Sequence, residues 1–209
     1  MQDHADISPR RVIGIFGGTF DPPHAGHLAV ARAALREGGV DEVWLMVSPE
    51  NPFKSGRHIT PERERLEMTR RLLAALGPAE RQRIRVSDFE MHLPRPTFTA
   101  VTLSELRHAY PGCEFRLIIG GDNLSAFSRW RDPEDILRHH RLIVYPRPGD
   151  AEWQESKIPP QSVILRDMPL LDISSTRLRE LARSGADVSH LTSPEVATYI
   201  KQHKIYDRE

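Results

Sequence analysis

Short apolar segments that alternate with helical segments constrain this chain more than any other feature. The first apolar run, 12–16, stops at Gly17-Gly18, and the next segment, 25–37, has apolar residues at helical spacing before it meets Gly38-Gly39. The same alternation continues toward the C-terminus. Strands that alternate with helices favour βαβ units, whose right-handed crossovers place parallel strands in one sheet. We therefore predict an α/β fold.

The order of the predicted elements defines the type of sheet. Strands are predicted at 12–16, 42–47, 84–89, 115–119, 142–145 and 163–167. Helices are predicted at 25–37, 61–76, 97–109, 174–183 and 194–203, with short helical pieces around 123–127 and 133–138. Thr60 is the expected N-cap of the second helix, with Pro61 as its first residue. This order predicts a doubly wound, Rossmann-like parallel sheet flanked by helices, with a small helical C-terminal part.

The length of 209 residues is enough to bury a core and fits one domain. We predict a flexible N-terminal tail at 1–11 and a single domain at 12–209, in which 174–209 form the helical C-terminal part. The hydrophobic fraction of 39% and the charged fraction of 28% argue against wholesale disorder. The single cysteine, Cys113, excludes a disulfide framework and a Cys-based zinc site, and its place at the start of a strand predicts a buried thiol.

Neither a signal peptide nor a membrane span is expected. The tail has no apolar segment, and no run of 18 apolar residues occurs in the chain, so we expect a cytoplasmic protein without a membrane partner. The 29 basic and 29 acidic residues cancel to a formal net charge of 0, which argues against binding nucleic acid by bulk charge. A local site for a small anion remains compatible with this balance.

The loop after the first strand has the features of an anion site. Gly17, Gly18, Thr19 and Phe20 follow the strand directly, and the free N–H groups of the following helix start can bind phosphate. The glycine spacing is neither the dinucleotide pattern nor a P-loop. His24 and His27 are three residues apart, so they share one helix face and can donate hydrogen bonds to phosphate oxygens. A metal ion bound by this pair would need a third or fourth protein ligand, and none is evident nearby in the sequence. For Asp21, a turn-stabilising role and a substrate contact are both open.

A second helix start carries hydroxyl side chains. Ser174, Ser175 and Thr176 can cap the helix, and its exposed N–H groups can receive phosphate. Arg179 lies one turn further and can make bidentate hydrogen bonds to a phosphate. Capping alone would also explain each of the hydroxyl groups.

Both segments resemble signatures of one superfamily. Residues 17–27 resemble the G-x-F-D-P-x-H-x-G-H signature of the nucleotidyltransferase superfamily of adenylyl- and cytidylyltransferases, and 173–179 match its I-S-S-T-x-x-R signature. The resemblance implies catalytic roles for His24, His27 and Arg179. It also implies an ATP-binding role for Gly17, Gly18, Thr19, Phe20, Ser174, Ser175 and Thr176.

Segments between these motifs are similar to bacterial nicotinate-nucleotide adenylyltransferases. Ile118-Ile119-Gly120-Gly121-Asp122 with Trp130, and 95–103, match two segments of that family. The resemblance implies that Asp122 contacts the substrate ribose, that Trp130 stacks on the pyridine ring, and that Phe98 and Thr99 present backbone amides to the pyridine carboxylate. The family has Ser-Tyr where this chain has Thr97-Phe98, which removes a tyrosine hydroxyl contact. A core position is the alternative for Trp130.

Two basic residues complete the expected site. Lys54 follows the second strand, where the family often has Pro-Pro-His-Lys, and is expected to contact the substrate phosphate, with an exposed loop lysine as the alternative. Arg147 belongs to a segment that matches the family's R-P-G near adenine. Together with His24, His27 and Arg179, these residues predict a concentrated positive pocket within a chain of zero net charge.

The resemblance implies adenylyl transfer from ATP to nicotinate mononucleotide, which gives deamido-NAD and pyrophosphate. Mg²⁺ is expected to be carried by ATP, because no dedicated carboxylate cage is evident in the sequence. The expected partners are therefore these small molecules and no nucleic acid, and self-association into a homo-oligomer is left open. The alternatives are a sibling enzyme that acts on nicotinamide mononucleotide or phosphopantetheine, and a catalytically silent nucleotide-binding module.

Overall fold

A six-stranded parallel sheet forms the centre of the computed structural model, which describes residues 10–49, 59–146, 158–169 and 171–207. The strands are β1 (Arg11–Gly18), β2 (Glu42–Val47), β3 (Ile84–Ser87), β4 (Cys113–Gly120), β5 (Leu142–Tyr145) and β6 (Val163–Ile164). Their spatial order is β3-β2-β1-β4-β5-β6, and every neighbouring pair is parallel. This order is that of a doubly wound sheet, and it confirms the predicted fold class.

Helices connect the strands and follow them. They are α1 (Ala25–Glu37), α2 (Glu62–Leu72), α3 (Pro78–Arg81), α4 (Thr99–Ala109), α5 (Gly121–Ala126), α6 (Pro133–His139), α7 (Ser175–Arg183) and α8 (Pro194–His203). Short 3-10 turns occupy Leu73–Ala75, Phe89–His92 and Phe127–Arg129. Among the described residues, no helix combines the length and the apolar character that crossing a membrane requires.

Side chains of β1 alternate between two hydrophobic clusters, one on each face of the sheet. Phe16 joins a cluster that takes in residues of α1, α2 and α8, whereas Ile13 and Ile15 join a second cluster with residues of α4 and α6. The centre of the sheet is tightly packed, because a Cβ added at Gly14 of β1 would lie 2.8 Å from Cδ1 of Ile118 on β4. Helices on both faces therefore hold β1 and β4 at the middle of the molecule.

Most predicted elements are present, and the differences lie at their ends. The predicted bounds of α1, β2, β5 and α8 are confirmed residue for residue. The predicted N-cap Thr60 is wrong: Pro61 is the N-cap of α2, because its carbonyl oxygen accepts the first bond of the helix, from the N–H of Arg65 at 3.1 Å. The third strand ends at Ser87, where a 3-10 turn takes over. Cys113 begins β4 and is only half-buried, so the expectation of a buried thiol is also wrong.

Candidate active site

A cleft of about 960 Å³ opens at the carboxyl edge of the sheet, where β1 and β4 separate. Connections from β1 and β4 run in opposite directions along the sheet at this switch point, which leaves room for a ligand. The cleft is lined by every predicted site residue that lies in the described ranges: Gly17, Gly18, Thr19, Phe20, His24, His27, Phe98, Thr99, Asp122, Trp130, Ser174, Ser175, Thr176 and Arg179. The predictions for Lys54 and Arg147 lie outside the described residues.

The loop after β1 lets the backbone approach a ligand closely. Gly17 lines the cleft, and a Cβ added there would meet no protein atom within 4 Å. A Cβ at Gly18 would lie 3.1 Å from the ring of Phe20, so glycine is needed where this ring folds back. Phe20 itself has a φ of 49°, in the left-handed region that side chains other than glycine seldom adopt. Such a conformation is typical of loops whose surroundings fix them for function.

The two histidines are part of the start of α1. His24 is the N-cap, and its backbone N–H donates to Nδ1 of His27 at 3.0 Å. Because Nδ1 accepts this bond, the proton of the neutral His27 ring resides on Nε2. The ring centroids of His24 and His27 are 3.8 Å apart. A Cβ at Gly26 would lie 3.0 Å from Nδ1 of His24, so a larger residue there would push against the ring of His24.

The side chain of Asp21 is bonded to distant parts of the chain rather than to its own turn, and a substrate contact of Asp21 stays a prediction. Asp21 is 7% exposed, and each carboxylate oxygen accepts a hydrogen bond from the protein: Oδ1 from the hydroxyl of Tyr206 at 2.8 Å, and Oδ2 from the N–H of Thr60 at 3.2 Å. Its carbonyl oxygen accepts from Nη1 of Arg179 at 2.6 Å. Buried polar groups in folded proteins require such hydrogen-bond partners.

The start of α7 faces the loop after β1. Ser174 caps the helix by accepting from the N–H of Arg177 at 3.2 Å, as capping alone predicts. The hydroxyl of Ser175 donates to the carbonyl of Pro22 at 2.9 Å, and Nη2 of Arg179 donates to Oγ1 of Thr176 at 3.2 Å. The second motif therefore contacts the first directly. The expected contacts of these residues with phosphate stay predictions.

The far end of the cleft is aromatic and more open. Trp130 is half-buried and lines the cleft, with its ring centroid 5.2 Å from that of Phe127, so it is not an enclosed core residue. Phe98 is the N-cap of α4, and Cζ of Arg131 lies 4.8 Å from the centroid of its ring. Asp122 is exposed at the start of α5. Arg131, which the motif matches did not include, is therefore a cation next to the residues expected to bind the pyridine ring.

Helix starts supply the attraction for anions. The first turns of α1, α4 and α7, all within the described residues, contain no Asp or Glu. By contrast, the first turns of α2, α6 and α8 contain carboxylates of their own. Carboxylates in a first turn neutralise the partial positive charge of a helix N-terminus. The helices α1, α4 and α7 therefore keep this charge for a ligand, whereas α5, which also begins at the cleft, has Asp122 in its first turn.

The predicted concentration of positive charge stays a prediction, because Lys54 and Arg147 lie outside the described residues, but the described lining has no excess of arginines over carboxylates. The described lining contains three arginines, Arg129, Arg131 and Arg179, and four carboxylates. Those carboxylates are Asp21, Glu90, Asp122 and Asp172. The motifs drew attention to basic residues, but the fold also brings carboxylates from other segments to the cleft. Backbone N–H groups and histidines, rather than an excess of formal charge, supply the anion-binding character of this part.

Arg65 supports the backbone around the cleft, and sequence reasoning missed it. It is 1% exposed and donates to four carbonyl oxygens, of Thr19 and Ser48 at 2.7 Å, and of Thr60 and Pro49 at 2.8 Å. Burial lowers the pKa of this guanidinium, and the negative charge of Asp21 opposes the shift. A signal existed in the sequence: Arg65 stands on the apolar stripe of α2, which is completed by Met68, Thr69 and Leu72.

Comparisons with known proteins agree with this geometry. The sequence profile of the cytidylyltransferase-like family matches residues 15–181. A protein of Bacteroides fragilis named probable nicotinate-nucleotide adenylyltransferase is 45% identical over 189 residues, which cover 90% of each chain. A Dehalococcoides mccartyi protein of the same name is 38% identical over 203 residues, which cover 94% of this chain and 97% of that one.

Solved structures share the fold. The nicotinic acid mononucleotide adenylyltransferase of Plasmodium falciparum, solved in complex with NaAD, superimposes with a TM-score of 0.80 and 22% identity over 95% of this chain and 98% of that one. At this identity the likeness concerns the fold, and the sequence relatives carry the assignment. The chain therefore belongs to the cytidylyltransferase-like family and, within it, to the nicotinate-nucleotide adenylyltransferases.

Proposed function

We propose that this enzyme transfers the adenylyl group of ATP to nicotinate mononucleotide, with deamido-NAD and pyrophosphate as products. One observation carries the proposal: the two motifs meet at the switch point of the sheet. Arg179 donates to the carbonyl of Asp21 at 2.6 Å, and Ser175 donates to that of Pro22 at 2.9 Å. The starts of α1 and α7 therefore border the same cleft, where a triphosphate can contact both.

The reaction needs positioning more than acid–base chemistry. A phosphate oxygen of the mononucleotide attacks the α-phosphorus of ATP in line, the new P–O–P bond forms, and the bond to the β-phosphate oxygen breaks. The attacking phosphate is already anionic near pH 7, since its second pKa is roughly 6. Neither a general base nor a protein nucleophile is required, and catalysis consists of alignment and stabilisation of the developing charge.

The histidines fit the role of hydrogen-bond donors to the reacting phosphates. Because Nδ1 of His27 accepts a hydrogen bond, the proton of the neutral ring is on Nε2, which can donate to a phosphate. His24 is the N-cap of α1. Arg179 uses Nη1 and Nη2 within the protein and has further N–H groups on the same guanidinium for a phosphate oxygen. We assign His24, His27 and Arg179 to stabilisation of charge on the α-phosphate and the departing pyrophosphate.

The open end of the cleft suits the pyridine nucleotide. The half-buried ring of Trp130 offers a stacking surface, and Phe98 and Thr99 begin α4, whose first turn has no carboxylate. A negatively charged ring substituent would benefit from that helix start. We assign Asp122 to the ribose, Trp130 to the pyridine ring, and Phe98 with Thr99 to the carboxylate.

We write the nucleotide substrate as MgATP. Among the described residues, no group of three or more His, Cys, Asp or Glu side chains is placed to hold a metal ion. The ion would therefore enter on the triphosphate oxygens, which Mg²⁺ favours together with water. Roles for Lys54 and Arg147, self-association and the cytoplasmic location stay predictions.

The deciding experiment measures pyrophosphate release with MgATP and each of three acceptors: nicotinate mononucleotide, nicotinamide mononucleotide and phosphopantetheine. We expect the highest kcat/KM with nicotinate mononucleotide. A higher value with either other acceptor would replace the proposed substrate with that acceptor. No release with any acceptor, in a protein that still binds ATP, would identify a silent nucleotide-binding module.

A further inference from the structure

The loop of residues 21–25, which carries His24 into α1, is held mainly from the C-terminal part of the chain. Besides the contacts of Ser175 and Arg179, the hydroxyl of Thr192 donates to the carbonyl of Pro23 at 2.9 Å. The N–H of Ala25 donates to the carbonyl of Leu191 at 2.9 Å. Residues 175–206 thus contact this loop at several successive positions, although they lie far away in sequence.

Tyr206 makes the most distant of these contacts, 185 residues along the chain from Asp21. Its side chain is 5% exposed, and its hydroxyl donates to Oδ1 of Asp21 at 2.8 Å. Burial raises the pKa of Tyr206, and the charge of Asp21 raises it further, so the hydroxyl keeps its proton and remains a donor at neutral pH. Tyr206 is not one of the described residues that line the cleft.

Asp21 connects this contact to the loop of residues 21–25, the catalytic loop. The other carboxylate oxygen accepts from Thr60, just before α2, so the side chain is held between α2 and the residues after α8. On the backbone of the same residue, the carbonyl oxygen accepts from Arg179. Asp21 therefore joins the contact of Tyr206 to a backbone atom that contacts one catalytic residue, Arg179, and lies three residues before another, His24.

We propose that Tyr206 is a positioning residue of the active site, which acts through Asp21 to fix the loop that carries His24. The inference builds on the proposed adenylyl transfer. If the hydroxyl is removed, Asp21 loses one of its two carboxylate donors, and the buried side chain relaxes toward other donors. Small misplacements of catalytic groups reduce turnover strongly, because the transition state requires closely defined geometry.

The test compares two tyrosines that make the same kind of bond. Tyr206→Phe removes the bond to Asp21, and the matched control Tyr199→Phe removes the bond from the hydroxyl of Tyr199 to Oε2 of Glu64 at 2.7 Å. Tyr199 is similarly buried, and its bond to Glu64 joins the C-terminal part to α2. Glu64 is not among the described residues that line the cleft. Similar losses of Tm are therefore expected in both variants.

We expect Tyr206→Phe to lower kcat about tenfold with a smaller change in either KM, since the hydroxyl orients the site without touching substrate. Tyr199→Phe should keep the wild-type kcat. In an Asp21→Ala background, Tyr206→Phe should cause no further loss, because its route of action is gone. Unchanged kcat in Tyr206→Phe, equal losses in both tyrosine variants, or the same loss in the Asp21→Ala background would each overturn the proposal.

A measurement independent of activity separates this inference from the proposed function. Amide hydrogen exchange of residues 19–27 should be faster in Tyr206→Phe than in wild type and unchanged in Tyr199→Phe. If the wild type releases no pyrophosphate but the exchange result holds, the proposed function fails while the role of Tyr206 in fixing the loop stands. Unchanged exchange in Tyr206→Phe would contradict that role directly.

Discussion

One side of the cleft is formed by the loop of residues 21–25, in which Asp21 and His24 are buried and Asp21 is bonded to residues far along the chain. On the other side, Asp122 and Arg129 are exposed and Trp130 is half-buried. We call these the phosphate side and the pyridine side. Phosphoryl-type chemistry depends on alignment, which a network of fixed hydrogen bonds provides. Recognition of a planar ring depends on contact area, which a few aromatic and charged side chains provide. The difference separates the residues expected to set turnover from those expected to set affinity.

The strongest test of the phosphate side is removal of a histidine. His24→Ala or His27→Ala should lower kcat by roughly 10²–10³, as loss of one preorganised donor does in other enzymes. Steady-state pyrophosphate release measures the effect. Near-normal turnover in both variants would mean that His24 and His27 do not stabilise the reacting phosphates.

Arg65→Met should destabilise the protein by about 3 kcal/mol, because four buried carbonyl oxygens lose their donor. Arg70→Met on the same helix is the control. Arg70 is 55% exposed at its side chain and lies 3.6 Å from Asp88, so its loss should cost no more than about 0.5 kcal/mol. Urea unfolding compares the two. Equal losses would show that the buried guanidinium does not hold the phosphate side together.

Trp130→Ala should raise the KM for nicotinate mononucleotide about tenfold, because a base–aromatic stacking contact is worth about 1–3 kcal/mol. The kcat and the unfolding free energy should change far less than in the histidine and Arg65 variants. A large loss of kcat at unchanged KM would mean that the pyridine side also aligns the reaction, and the proposed division would fail.

The smallest effect is expected at a helix cap. Ser174→Ala should cost about 1 kcal/mol of stability through loss of the bond to the N–H of Arg177. Ser193→Ala, at the start of α8, removes a cap bond of the same 3.2 Å length away from the cleft lining and serves as control. Only Ser174→Ala should raise the KM for ATP. An equal KM for ATP in both variants would limit Ser174 to capping.

Local patterns were sufficient to predict a doubly wound parallel sheet and the motif residues that line the cleft. Residues such as His24 and Ser174 follow strands or begin helices, and parallel strands bring their carboxyl ends together. The role of Asp21 was not decidable in the same way, because its partners Thr60 and Tyr206 are 39 and 185 residues away. The carboxylates of the cleft were missed for a related reason: Glu90, for example, belongs to no motif and reaches the lining through the fold.

The contacts of the catalytic loop also determine when the enzyme becomes competent during its synthesis. The loop leaves the ribosome before its partners Ser175 and Tyr206, which follow 153 and 185 residues after the residues they contact. Contacts over such separations form late, because a long chain must close before they repay the lost entropy. A nascent chain can therefore assemble much of its sheet before its histidines are held in place.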